Sequence, residues 1–335
     1  MVILAHDESI PALAYLPDGR RIVTGSYDGT VKVWNMDNGE QELEGAAMGH
    51  KSNISSLVVT RDGTKIVSGD DNGNIKVWNV ESHVLVREWT QGRGYPIAIS
   101  PDERLVAAGG ASAIYTMEGR VVKNGIKLNE MVWSVAFSPD GKKLACGNWE
   151  GNIYVYNVDN GTPILGPLEG HQSTTCYMLW SRDGRRIFSA SWDNVIRCWN
   201  SDTGEQIGQP WTGHTHWIRA LSLSPDGSIL SSVSLDKTVR FWDVTSGHPI
   251  GQHLQHDHPL FAIGFSPSGE FVASAGRDGN LCVWPTPRLN SVDNLVTTSY
   301  MCFGTGIYRV IGKSDGSQRK LLYFCTPLPL IVRLA

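Results

Sequence analysis

The chain has 335 residues and a net charge of −4 from 29 basic and 33 acidic side chains, without the basic excess that a phosphate-binding surface carries. That balance argues against nucleic acid as a ligand. The six cysteines (Cys146, Cys176, Cys198, Cys282, Cys302, Cys325) form no C-x-x-C pair, as expected of thiols packed as small hydrophobes in a reducing compartment. No stretch approaches the ~18 uninterrupted apolar residues of a membrane-spanning helix. MVILAHDESI lacks the basic start of a targeting sequence, so a soluble, cytoplasmic protein is expected.

Val2 to Ala5 reads as a short strand ahead of His6. A unit of three apolar runs follows, with a PDG turn at 17 to 19, a second turn carrying Asp28, and a close on VKVW at Trp34. Pro presets φ, and Gly takes the left-handed position, so the turn is specified chemically and the runs are strands joined by hairpins. The second unit has RDG at 61 to 63, Asn72 in the acidic place and IKVW ending at Trp78. The third keeps only IAISPDERLVAAGG, with Met117 where Trp is expected. The fourth carries VAFSPD at 135 to 140, Cys146, Glu150 and Tyr156 at the serine, acidic and Trp places, and Leu128 at the histidine place. Units five to seven return to the pattern, with turns at 182 to 184, 225 to 227 and 267 to 269 and closes at Trp199, Trp242 and Trp284. Residues 285 to 335 show no repeat and read as an irregular tail, disordered or loosely packed; the alternative is an extra strand pair from TGIYRVIG and RKLLYF against blade seven.

Five tryptophans therefore keep the same company. Six residues before Trp34, Trp78, Trp199, Trp242 and Trp284 stand Asp28, Asn72, Asp193, Asp236 and Asp278; ten before stand Thr24, Ser68, Ser189, Ser232 and Ser274; twenty-eight before stand His6, His50, His171, His214 and His256. The mean step of about 42 residues is that of a propeller of four-stranded blades. Seven such units make one domain over 1–284, all-β, with blades three and four degenerate. The sequence PTPRLNSVDNLVTT after Trp284 does not look like an outer strand, so the N-terminal strand is expected to close the ring as a weak clasp.

These residues resemble the WD-repeat β-propellers, and the units at 168 to 199 and 211 to 242 (LEGH…W, WTGH…WD) resemble the long arrays of fungal NACHT-type and incompatibility-related WD proteins. The resemblance implies that His, Ser or Thr, Asp and Trp form a hydrogen-bonded brace inside each blade. Such a brace is physically reasonable, because a buried imidazole, hydroxyl and carboxylate are costly unless they satisfy one another. A catalytic reading of the same His and Asp is disfavoured: a catalytic group is assembled once, at one cleft, and this pair recurs around a ring. The run HPIGQHLQHDH (248 to 258) has histidines at metal-like spacing, but surface histidines are the expected reading, and no metal or cofactor is expected. No Walker-type glycine loop, G-x-S-x-G elbow or H-E-x-x-H motif occurs.

The resemblance also implies where a partner binds: at the residue before the turn acid, and at the third and fifth positions after the histidine. The first set is Tyr27, Asp71, Trp149, Trp192, Leu235 and Arg277; the second is Trp217, Arg219 and Phe261 with Arg93, Tyr95, Met131 and Trp133 from the degenerate blades. Trp, Tyr, Phe and Arg of this kind mark interface hot spots. The expected function is a non-enzymatic scaffold that grips a peptide or protein loop, as a monomer or as one subunit of a hetero-complex. The alternative is a recognition or sensor subunit of a ubiquitin ligase or nucleotide-switch complex.

Overall fold

A computed structural model describes residues 1–42, 48–90, 96–109, 113–122 and 131–287, and the backbone of three later strands, Thr297–Phe303, Gly306–Lys313 and Leu322–Pro327. The strands form seven sheets, and among the described residues there is no helix. The innermost strands are Ala12–Tyr15, Ile54–Val59, Ile97–Ile99, Val132–Phe137, Thr175–Trp180, Ile218–Leu223 and Leu260–Phe265. Each packs against the next, and Leu260–Phe265 packs against Ala12–Tyr15, so the sheets stand around an axis as seven blades of a closed propeller.

The hydrophobic core is divided in the same way. Seven clusters of buried side chains each straddle one junction between neighbouring blades. Leu16, Val23, Val31 and Met48 of blade one, for example, meet Ile54, Ile66 and Trp78 of blade two. A blade sheet has two apolar faces and can bury both only by having neighbours, which is why the repeat must close on itself. The middle strand of each blade is accordingly buried almost throughout, as in Ile229–Ser234.

The turns obey the chemistry read from the sequence. Gly19, Gly63, Gly141, Gly184, Gly227 and Gly269 all have φ between 70° and 76°. In blades three to six the hydroxyls of Ser100, Ser138, Ser181 and Ser224 donate to the turn carboxylates of Asp102, Asp140, Asp183 and Asp226 at 2.5–2.6 Å. Blade three has Glu103 at the glycine position with φ 61°; its carboxylate accepts the backbone N–H groups of Arg61 and Asp62 on blade two.

Closure is as expected. Val2–Leu4 pairs antiparallel with Asn280–Pro285 (Val2 with Cys282, Ile3 with Leu281, Leu4 with Asn280) and becomes the outer strand of blade seven. The N-terminal ammonium donates to Val283 O at 2.9 Å.

Two expectations need correction. In blade three Val106 pairs with Tyr115, as Ile22 pairs with Trp34 and Ile66 with Trp78, so Tyr115 and not Met117 holds the Trp place. The hairpin between the middle and third strands is shorter in this blade, which shifts the count. In the tail the three late strands pair antiparallel with one another and meet blade six through a single parallel pair, Gln255 with Met301, rather than blade seven. Leu128, expected at the fourth histidine place, lies outside the described residues.

Candidate protein-interaction face

The histidine of each brace arrives on the chain leaving the outer strand of the preceding blade, so the brace ties two blades together. Met48–Gly49 pairs with Thr30–Val31 of blade one, and His50 then enters blade two. There its Nε2 meets Ser68 Oγ at 2.7 Å, and Trp78 Nε1 donates to the same oxygen at 2.9 Å. Blades one, five and six repeat this. His6, His171 and His214 lie 2.7 Å from Thr24, Ser189 and Ser232 through Nε2, and 2.8 Å from Asp28, Asp193 and Asp236 through Nδ1.

The proton order follows from the donors available. An indole N–H can only donate, so the hydroxyl accepts from Trp and spends its own hydrogen on His Nε2, which leaves the imidazole proton on Nδ1 facing the carboxylate. A neutral imidazole satisfies every atom. Burial lowers the pKa of His6, His50 and His214 against the pull of their carboxylates. Desolvation opposes ionisation of Asp28, Asp193 and Asp236, yet the hydrogen bonds from histidine and from nearby backbone N–H and threonine hydroxyl groups prevail and hold all three below the usual carboxylate range.

This order of atoms is also that of a Ser-His-Asp nucleophile. Here the hydroxyls of Thr24, Ser68, Ser189, Ser232 and Ser274 belong to residues of 0% exposure and already accept an indole N–H, so no substrate carbonyl can reach them.

Two braces depart from the expected set. In blade two the acid is Asp70, not Asn72: His50 Nδ1 lies 3.1 Å from Asp70 Oδ2, and Asp70 also accepts from the Asn72 and Asn74 N–H groups. The carboxylate has moved two residues back onto the end of the middle strand, and Asn72 is exposed. In blade seven His256 keeps Ser274 at 3.0 Å, and Trp284 donates to Ser274 at 2.8 Å, but Asp278 is turned to the Asn280 amide at 2.7 Å and lies out of reach of His256. Burial without that bond lowers the His256 pKa to about 4.

A further layer was present in the sequence and not read from it. Two residues before each of four brace tryptophans stands a cation: Lys32, Lys76, Arg197 and Arg240. Lys32 and Lys76 lie 5.8 and 5.4 Å from the Trp34 and Trp78 ring centroids and donate to Ala5 O and Gly49 O, the carbonyls just before the histidines.

The braces hold up a ring of loops at the mouth of the central channel. In each of six blades the residue before the periodic acid place, Asn72 in blade two and Glu150 in blade four, donates its backbone N–H to the carbonyl three after the histidine place, Leu128 in blade four. Tyr27 donates to Ser9, Asp71 to Asn53, Trp149 to Met131, Trp192 to Thr174, Leu235 to Trp217 and Arg277 to Pro259, at 2.9–3.1 Å. The two expected sets are thus one structure, side by side at the lip. The fifth position after the histidine is raised by a β-bulge, as at Trp133, Cys176, Arg219 and Phe261, where the pairing skips one residue of the innermost strand. A bulge re-aims its side chain, here toward the axis.

The tryptophans of that lip converge. Trp192 and Trp217 stack in parallel at 4.3 Å between centroids, and Trp133, Trp149 and Trp192 lie 5.3–5.8 Å apart in edge-on and tilted contacts. The cluster crosses blades four to six and leaves Trp149 51% and Trp217 38% exposed. Trp192 Nε1 is shielded from solvent and has no hydrogen-bond partner among the described residues. His216 leans edge-on against Trp217 at 5.5 Å, and the Arg219 guanidinium lies 5.5 Å from the Phe261 centroid. Tyr27, Asp71, Trp133, Trp192, Trp217, Arg219 and Phe261 line one cavity of about 460 Å³ at the channel mouth. Leu235, Arg277, Met131 and Trp149 stand outside that lining. Arg93 and Tyr95 lie outside the described residues.

Cys176 and Ser55 line the cavity as well and were not anticipated, although Cys176 occupies the fifth place after His171. Its thiol donates to Ile218 O at 2.8 Å, and burial pushes its pKa up to about 12, so it joins blades five and six.

Among the described residues no helix is long and apolar enough to cross a membrane. Comparison with known proteins gives 29% identity over 189 residues to the WD repeat-containing protein VIP3 of Arabidopsis thaliana, covering 50% of this chain and 59% of that protein. The human echinoderm microtubule-associated protein-like 2 is 41% identical over 56 residues, which is 16% of this chain and 9% of the relative. The family model for the WD domain, G-beta repeat, matches residues 1–35, 42–79, 125–157, 162–200, 204–243 and 247–285. Those matches fall on six of the seven blades and leave out the shortened third; with them and the braces in hand, the chain belongs to the WD-repeat family.

Proposed function

We propose that the protein is a non-enzymatic interaction scaffold whose channel mouth grips a peptide or protein loop on the tryptophan cluster of blades four to six. One observation carries the reading. Four indoles from three blades meet on one lip, and two of them remain partly open to solvent. Indoles are costly to expose and are the commonest anchors of protein interfaces. Rigid blades also reduce the ordering entropy lost on binding. The WD-repeat family membership supports a scaffold in general, and a cytoplasmic location is part of the same proposal.

The test is capture of partners from native lysate by the tagged protein with crosslinking, comparing the unchanged chain with Trp149→Ala plus Trp217→Ala. Loss of the specific crosslinks at an unchanged melting temperature is expected. Crosslinks that survive the double substitution would refute the assignment of this face.

A further inference from the structure

Asp71 is out of keeping with the rest of the lip. It takes the place that Tyr27, Trp149, Trp192, Leu235 and Arg277 hold in other blades, and among the described residues it is the single carboxylate lining the mouth cavity. Its chain neighbour Asp70 is buried and committed to His50 and Asn74. Asp71 is offered only neutral donors, Asn53 and Ser55, and among the described residues it has no cationic partner within ion-pair distance. Burial, with the Asp70 charge beside it, raises its pKa.

Among the described residues no cation pairs with this carboxylate, and aromatic faces share the cavity with it. Tyr27 stands on the adjacent blade, and Trp133 and Trp192 line the same cavity; aromatic faces carry negative potential. A cation above them is attracted by ring and carboxylate together, and desolvation strengthens both attractions. The mouth already holds one such pair of its own, the Arg219 guanidinium over Phe261, in the sector of blades six and seven. That pair engages Arg219 locally, and among the described residues no ion pair neutralises Asp71.

We propose that the channel mouth takes one cationic side chain of the partner, a lysine or arginine, with Asp71 as counter-ion and the aromatic lining as its walls. The inference rests on the reading of this face as the binding face and specifies what the partner must present. The indole cluster gives the surrounding contact area, and the channel reads the charge.

Isolated side chains test it without knowledge of the partner. The full chain is titrated with Nα-acetyl-arginine methylamide and Nα-acetyl-lysine methylamide, with the norleucine and glutamate analogues as controls, and indole N–H resonances are followed by NMR. Saturable shifts with dissociation constants in the roughly millimolar range are expected for the two cations, a value typical of ligands of this size. Asp71→Asn, which keeps the shape and removes the charge, should weaken them about tenfold, the effect of losing one charge-assisted contact. Equal binding of norleucine or glutamate, or indifference to Asp71→Asn, would overturn the proposal. If Trp149→Ala plus Trp217→Ala abolishes partner capture while the cations fail to bind, the face stands and the charge reading falls.

Discussion

Tryptophan does opposite work in two parts of this molecule. In the blade interiors Trp34, Trp78, Trp199, Trp242 and Trp284 are at most 5% exposed, and each donates to a buried hydroxyl. At the channel mouth Trp133, Trp149, Trp192 and Trp217 pack on one another and retain open surface. The first set holds one place of the repeat in five blades; the second is spread over three places and fills them with tryptophan only in blades four to six. Periodic residues answer a demand every blade makes, burial between neighbours; residues that break the period are free to serve the one place where blades differ.

The largest expected effect contrasts the two sets directly. Trp242→Ala should cost about 3–5 kcal/mol of unfolding free energy, the usual range for a core tryptophan, whereas Trp149→Ala should cost less than about 1 kcal/mol. Denaturant midpoints for the two variants test this, and equal losses would erase the distinction.

Acid should loosen the braces. Histidines whose folded pKa lies below the unfolded value of about 6.5 bind protons more readily when unfolded, so stability falls as pH drops from about 6.5 toward the folded pKa. For His256 that window ends near its folded value of about 4. Asp28, Asp193 and Asp236, whose folded pKa values are lowered, begin to subtract stability only below about 4, where unfolded carboxylates protonate. Melts between pH 7 and pH 4 should therefore decline steadily, and His256→Gln should flatten the upper part of the curve. A flat profile in the unchanged chain would contradict the assigned neutral imidazoles.

The smallest effect separates two left-handed residues. Lys237 (φ 70°) occupies the place of Gly29 with a side chain exposed to solvent, so Lys237→Gly should stabilise by on the order of 0.5–1 kcal/mol by relieving backbone strain. Glu103 (φ 61°) caps two N–H groups of the neighbouring blade, and Glu103→Gly should give no gain. Thermal melts of both variants decide it.

Most of the fold was legible because the repeat imposes spacing. The PDG turns, the Thr or Ser at Trp minus ten and the closing strand at Val2–Leu4 all stand where the period places them. The errors arose where local geometry breaks the count. A shortened hairpin puts Tyr115 in the Trp place, and of two adjacent carboxylates in SGDDNG the earlier, Asp70, reaches His50 while the periodic position holds Asn72. The turn of Asp278 toward Asn280 depends on one side-chain torsion, on which spacing carries no information. At the mouth the residue types were legible, but their convergence was not. Trp133 and Trp217 are far apart in sequence and come together only because blade five places Trp192 between them.

The central claim is that interior tryptophans hold the ring and mouth tryptophans hold the partner. Its most direct test is the matched pair Trp217→Ala and Trp242→Ala, each assayed for both crosslinked partner capture and denaturant midpoint. Trp217→Ala should lose capture at an unchanged midpoint, and Trp242→Ala should lose the midpoint; a Trp217→Ala protein that captures normally, or that unfolds as early as Trp242→Ala, would contradict the account.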